Sequence, residues 1–155
     1  PQDSNNNVAI CIFNFRLYVA FRTGPTHFAS KKTGICIMSS GDGKIWKKEF
    51  SIFPGHDVRE PFLMPIDGEL HFYCFAAGTK MTSFVPEYIS HYTTSGNGEW
   101  KGPENVLEKG EVHWSMINRN GKTYMTGYAG SHYQLKGDSH VSLMFKQTEN
   151  GKDFL

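Results

Sequence analysis

No apolar run in the 155-residue chain approaches the 18 or so residues that a bilayer crossing needs, which excludes a helical membrane span. Neither sign of charge is in excess. Sixteen Lys and Arg stand against 15 Asp and Glu, a net charge of +1, so the basic footprint of a nucleic-acid or anionic-membrane binder is missing. Cysteine is scarce. Cys11, Cys36 and Cys74 include no Cys-x-x-Cys pair, which speaks against a thiolate zinc site. Each lies in an apolar, strand-like run and reads as a free buried thiol; one disulfide plus a free thiol is the alternative. The polar start, Pro1 to Asn7, has neither the basic nor the apolar stretch of a signal peptide. No Asn-x-Ser/Thr acceptor occurs either, so the sequence assigns no compartment, with secreted and periplasmic settings left open. Helical periodicity with caps is also absent. What the chain does have is 12 Phe, 7 Tyr, 3 Trp and 16 Gly, a composition suited to strands and tight turns.

The chain repeats itself. Asn14, Asp67 and Asn120 each open a similar stretch, at intervals of 53 residues. The stretches read Asn14-Phe15-Arg16-Leu17-Tyr18, Asp67-Gly68-Glu69-Leu70-His71 and Asn120-Gly121-Lys122-Thr123-Tyr124. About 28 residues after each comes a second signal, which ends in Trp46, Trp100 or Phe154, at intervals of 54. A period near 50 with several short strands per repeat is the signature of a β-propeller.

Runs rich in β-branched and aromatic residues, punctuated by Asp-Gly and Asn-Gly turns, predict the strands. They fall at 8–13, 17–22, 34–39 and 46–53, at 61–66, 70–76, 88–94 and 100–107, and at 113–118, 123–129 and 141–147. The expected fold is all-β, with four-stranded antiparallel blades over residues 8–53, 61–107 and 113–155, the last lacking its outer strand. Closed propellers hold about four to eight blades. Three blades are therefore expected to form part of a larger ring, read here as six-bladed, completed by further blades of the same chain or by a second copy.

Ser40-x-Asp42-Gly43-x-x-Trp46 resembles the Asp-box of sialidases and related propellers, one residue shorter between Asp and Gly. Thr148-x-Asn150-Gly151-x-x-Phe154 keeps that spacing, and the middle copy is shorter again. The hydroxyl and Asx side chains are expected to bond the hairpin backbone, with the aromatic beneath the turn, so the motif is structural. The order Arg22-x-Gly24-x-x-His27, Asp-box, then Asp57-Val58-Arg59-Glu60-Pro61 is similar to that of sialidase-superfamily chains, in which Arg-Asp-Pro follows. The departure is Glu60 in the place of that Asp. The stretch is also similar to that of five-bladed arabinanase, xylosidase and fructosidase propellers. The resemblance covers nearly the whole chain. It implies a glycoside hydrolase, or a propeller that binds glycans without cutting them.

Alternating strands put the loops on two faces. The Asx-Gly turns and Asp-boxes share one. The other carries 23–33, 55–60, 77–87, 109–112 and 130–140, with five of the seven histidines in or beside them. Titratable groups gathered on one rim of a rigid scaffold suit binding or catalysis. Glu60 and Asp57 are the candidate catalytic carboxylates, with interblade ion pairing as the alternative. Arg22, His27, Arg59, His113, Trp114 and His132 are the candidate substrate-binding residues. Arg59 could grip a carboxylate or pair with Asp57 or Glu60. Arg22 with His27 could bind a ligand or clamp a loop. Trp114 could stack on a sugar or fill an interblade gap. A sialidase site needs three arginines, and this rim offers Arg22 and Arg59. No spacing identifies a metal or a cofactor. The expected partner is a glycan or small carbohydrate, not nucleic acid.

Overall fold

The computed structural model describes residues 1–79, 85–130 and 140–155. Eleven strands lie among them: β1 (Ser4–Phe13), β2 (Arg16–Gly24), β3 (Gly34–Ser40), β4 (Lys47–Ile52), β5 (Val58–Ile66), β6 (Glu69–Ala76), β7 (Ile89–Thr94), β8 (Lys101–Val106), β9 (Glu111–Arg119), β10 (Lys122–Ala129) and β11 (Ser142–Thr148). They form three antiparallel sheets, β1-β2-β3-β4, β5-β6-β7-β8 and β9-β10-β11, and no helix lies among the described residues. Leu155 exchanges both backbone hydrogen bonds with Gln147, at 2.9 Å each, in the place where a fourth strand would pair with β11.

The hairpin turns follow the repeat. Asn14 and Phe15, Asp67 and Gly68, and Asn120 and Gly121 all have positive φ, which suits the two-residue turn to the right-handed twist of its strands. Phe15 does this at φ 58 with its side chain fully exposed. In the Asp-box, the Asp42 carboxylate accepts the amides of Lys44 and Ile45 at 2.8 and 2.9 Å, and Ser40 Oγ accepts that of Gly43 at 2.9 Å. Asn150 and Thr148 repeat this pattern on Lys152, Asp153 and Gly151.

The sheets stack through two apolar layers. Tyr18, Ala20, Ile35 and Ile37 of the first sheet meet Leu63, Leu70, Phe72 and Tyr92 of the second. Tyr73, Phe75 and Ile89 of the second meet Val112, Met116 and Met125 of the third. Burying each such large side chain contributes about 1.5–3 kcal/mol. The aromatics that close the hairpins bind each blade to the one before it. Trp100 stacks on Phe50 at 5.0 Å, and Phe154 meets Tyr73 edge-on at 6.2 Å. Trp46 is the exception: it is 39% exposed on the outer face of the first sheet, against which no other sheet packs among the described residues. That face also exposes Val8, Ile10 and Ile12, and the outer face of the third sheet exposes Ile117, Leu143 and Phe145.

The strand expectations need one consistent correction. All three inner strands begin earlier than their apolar alternation suggests: β1 at Ser4 and not Val8, β5 at Val58 and not Pro61, β9 at Glu111 and not His113. Ladder pairing uses the backbone, so polar residues can extend a strand wherever the neighbouring strand offers partners. Ser4, Asn5 and Asn6 pair with Gly24, Thr23 and Arg22.

Candidate functional site

Each inner strand carries a β-bulge near its start, on the face opposite the Asx-Gly turns. The irregularities fall at Asn7 in β1, at Glu60-Pro61 in β5 and at Trp114 in β9. A bulge places an extra residue in the strand and re-aims its side chain. Asn7 and Glu60 both sit in the left-handed region, at φ 49 and 45, which is uncommon for residues other than glycine. Gly127 faces the third bulge, where a Cβ would collide with the Val112 carbonyl.

Asn7, Glu60 and His113 follow one another at 53-residue intervals and are bonded in series. Asn7 Nδ2 donates to Glu60 Oε1 at 2.7 Å. His113 Nε2 lies 2.6 Å from the Glu60 carbonyl oxygen. A carbonyl only accepts, so Nε2 carries the proton. Burial pushes the His113 imidazole down to about 4, against a smaller opposing effect of that bond. At neutral pH the ring is therefore neutral with a bare Nδ1, and that nitrogen is buried without a partner. His113 was expected to meet substrate, but it is fully buried and instead fixes the main chain of Glu60.

Asp57 lies beneath this rim, fully buried. Arg22 Nη2 donates to its Oδ1 at 2.7 Å and Arg59 Nε to its Oδ2 at 2.5 Å. The Asp57 amide and carbonyl also pair with Gly78 and Ala77. Arg22 is as buried as Asp57, and it reaches the carbonyls of Thr26 and Phe28 and the hydroxyl of Thr33. It therefore clamps the 25–33 loop. The Arg59 side chain keeps 19% exposure, and its Nη2 donates to the His27 carbonyl at 3.3 Å. His27 is exposed beside it. Glu60 is half-buried with its carboxylate toward Asn7.

Trp114 is 66% exposed and tilts against Tyr128 at 5.6 Å, lining a cavity of about 510 Å³ with Val141 and Leu143 on the outer face of the third sheet. His132 lies outside the described residues. Among the described residues no three His, Cys, Asp or Glu side chains gather as a metal site. The cysteines are free, with Cys11 and Cys74 pushed up to about 12 by burial.

The structure thus brings Glu60, Asp57, Arg59, Arg22 and His27 into one connected group, while Trp114 stands apart on the third blade. Sequence reasoning missed Asn7, which it took for part of a polar stub. The repeat could have found it: Asn7 precedes Asn14 by the same step that separates Glu60 from Asp67 and His113 from Asn120.

No family model and no curated protein matches the chain. Solved structures do. A family 117 glycoside hydrolase, Zg3597, from Zobellia galactanivorans aligns over 98% of this chain and 55% of its own, at 14% identity and a TM-score of 0.69. The phage phi92 endosialidase aligns over 90% and 22%, at 11% identity and 0.60. The Cellvibrio cellulosa α-L-arabinanase, in complex with arabinohexaose, aligns over 96% and 54%, at 11% identity and 0.57. The chain thus spans about half the length of the first and third of these, and less of the second. At this identity the likeness concerns the fold: the chain shares the β-propeller architecture found in glycoside hydrolases.

Proposed function

We propose that the chain is part of a glycoside-hydrolase-type propeller whose working face is the rim around Glu60. The observation that carries this reading is the Glu60 carboxylate itself, half-buried on a left-handed bulge where the inner strands converge and held there by Asn7. Most glycosidases act through two carboxyl groups that flank the scissile bond. Asp57 is the nearby carboxylate, but both of its oxygens hold guanidinium groups and it is closed to solvent. In this reading Glu60 handles the proton, Asp57 orients Arg59, and the second working carboxyl comes from blades beyond these three. Arg59 and His27 border the sugar, while Trp114 lies on the outer face of the third sheet, where a further blade would pack. The apolar outer faces of the first and third sheets support closure of a ring by further blades, of the same chain or of a second copy.

The sialidase form draws on the Asp-box turns and the likeness to an endosialidase. It calls for three arginines on the substrate carboxylate, however, and Arg22 is fully buried against Asp57 and loop carbonyls. A hydrolase of neutral sugars, of the arabinanase type, asks for no arginine cluster and fits the rim about as well. The test is release of product from a panel of aryl glycosides and arabino-oligosaccharides by the protein with all its blades. Turnover lost in Glu60→Gln with the fold intact supports the reading. Binding on a glycan array without turnover of any panel member replaces it with a non-catalytic carbohydrate-binding propeller.

A further inference from the structure

We propose that Asn7 is a positioning residue for the Glu60 carboxylate, holding it in one orientation in both of its protonation states. The inference rests on the reading of Glu60 as the working carboxylate, and it assigns Asn7 a part in that work. Asn7 Nδ2 is the one hydrogen-bond partner of this carboxylate among the described residues, at 2.7 Å. The contact crosses from one blade to the next and joins two bulges of the same form. Each of the two residues adopts a left-handed backbone, which costs about 1–3 kcal/mol and persists only where the surroundings enforce it. Two strained positions that meet through their side chains are a costly way to make a simple interblade link. Elsewhere the blades are joined by unstrained packing such as Phe50 on Trp100.

The choice of an amide matters. To an ionised carboxylate Asn7 donates through Nδ2. To a protonated one it can accept through Oδ1 after a half-turn about its terminal torsion, an open two-fold rotation for Asn. Oδ1 is buried and has no partner in the present state, so the half-turn breaks no hydrogen bond of the oxygen. An aspartate in this position could not donate, and its charge would oppose ionisation of Glu60. A lysine could not accept. The neutral Asn7 amide can follow a carboxyl group through loss and gain of a proton without letting it swing away. The main chain of Glu60 is held separately by His113, so backbone and side chain are restrained from opposite neighbours.

The experiment is a pH titration of the Glu60 side-chain carboxyl by carbon-13 NMR in the protein with all its blades. The resonance is identified by its loss in Glu60→Gln, and wild type, Asn7→Ala and Asn7→Asp are compared. Asn7→Asp is expected to raise the Glu60 midpoint by about one pH unit or more, because two carboxylates in contact resist double ionisation. Asn7→Ala removes donor and acceptor together and is expected to shift the Glu60 carboxyl resonance at both ends of the titration, with little change of midpoint, because neither protonation state is then held. Should Asn7→Asp not fold, the Asn7→Ala comparison decides. Plateau shifts in Asn7→Ala that match wild type at both ends of the titration overturn the proposal. The glycoside panel separates this result from the functional reading. A Glu60 titration that responds to Asn7 in a protein without turnover supports the positioning and removes the catalysis. Turnover that depends on Glu60 but is unchanged in Asn7→Ala overturns the positioning.

Discussion

Arg22 and Asp57 form an ion pair at 2.7 Å with both side chains fully closed to solvent, although 35 residues separate them. Arg59 binds the other oxygen of the same carboxylate. Asp57 therefore ties the 25–33 loop to the strand that carries Glu60. Asp57→Asn leaves Arg22 buried opposite a neutral group, and removal of one partner from such a pair costs about 3–5 kcal/mol. Urea unfolding is expected to show a loss of that size. Lost turnover with unchanged stability would instead make Asp57 a reacting carboxylate.

Acid should unfold the protein through its buried histidines. His71 Nδ1 and His91 Nε2 lie 2.9 Å apart between β6 and β7, so one of them must donate to the other's bare nitrogen. Glu69, Glu104 and Lys152 bear on the pair, and Tyr73 contacts His71 while donating to the Gly151 carbonyl. Burial lowers both rings, His91 to about 4, with His71 itself also opposing the charge on His91. His113 is lowered to about 4 as well. A depressed value means that the folded state favours the neutral ring. The stability these rings contribute is complete above about pH 6.5 and is lost as pH falls through about 4. Thermal melts across pH 7 to 4 are expected to show a falling midpoint, with a shallower fall in His113→Gln.

Phe15 makes a local prediction. It occupies a left-handed position at φ 58, and its side chain is fully exposed. Phe15→Gly removes a backbone penalty of about 1–2 kcal/mol, partly offset by the greater freedom of glycine in the unfolded chain. A net gain of a few tenths to about 1 kcal/mol in denaturant unfolding is the expected result, and a loss would show that Phe15 is packed against something in the whole protein.

The outer faces of the first and third sheets test ring closure. Leu143 is 96% exposed and Ile10 64%. If further blades cover them, Leu143→Asp and Ile10→Asp in the protein with all its blades each bury an unpaired charge and cost several kcal/mol. Unfolding midpoints within about 0.5 kcal/mol of wild type, the usual range for open surface, would show that these faces stay uncovered.

The architecture was legible because the repeat is written twice, in turn residues and in aromatics. Asn14, Asp67 and Asn120 mark the hairpins, and Trp100 and Phe154 mark the blade contacts. The rim was harder to read. Strand alternation is a signal of burial, and it fades where a strand turns polar and bulged, so Ser4–Asn7 looked like a tail. Residue type misled at His113 and left two readings open at Arg22, of which the loop clamp holds. A histidine and an arginine near loops suggest ligand contacts, yet both are buried, where His113 holds the Glu60 carbonyl and Arg22 holds Asp57. Glu60 and Arg59 were legible as candidates, but the Asn7 contact crosses 53 residues and is invisible to any local pattern.

The most direct test of the central claim is the position of a bound sugar. A crystal structure of the protein with all its blades, in complex with an oligosaccharide that it binds, should place a sugar ring within hydrogen-bond reach of Glu60, with Arg59 at its border. A sugar seated instead on the Asp-box face beside Asp42, or in the outer groove of about 410 Å³ between His56, Tyr88 and Asn105, would contradict the account.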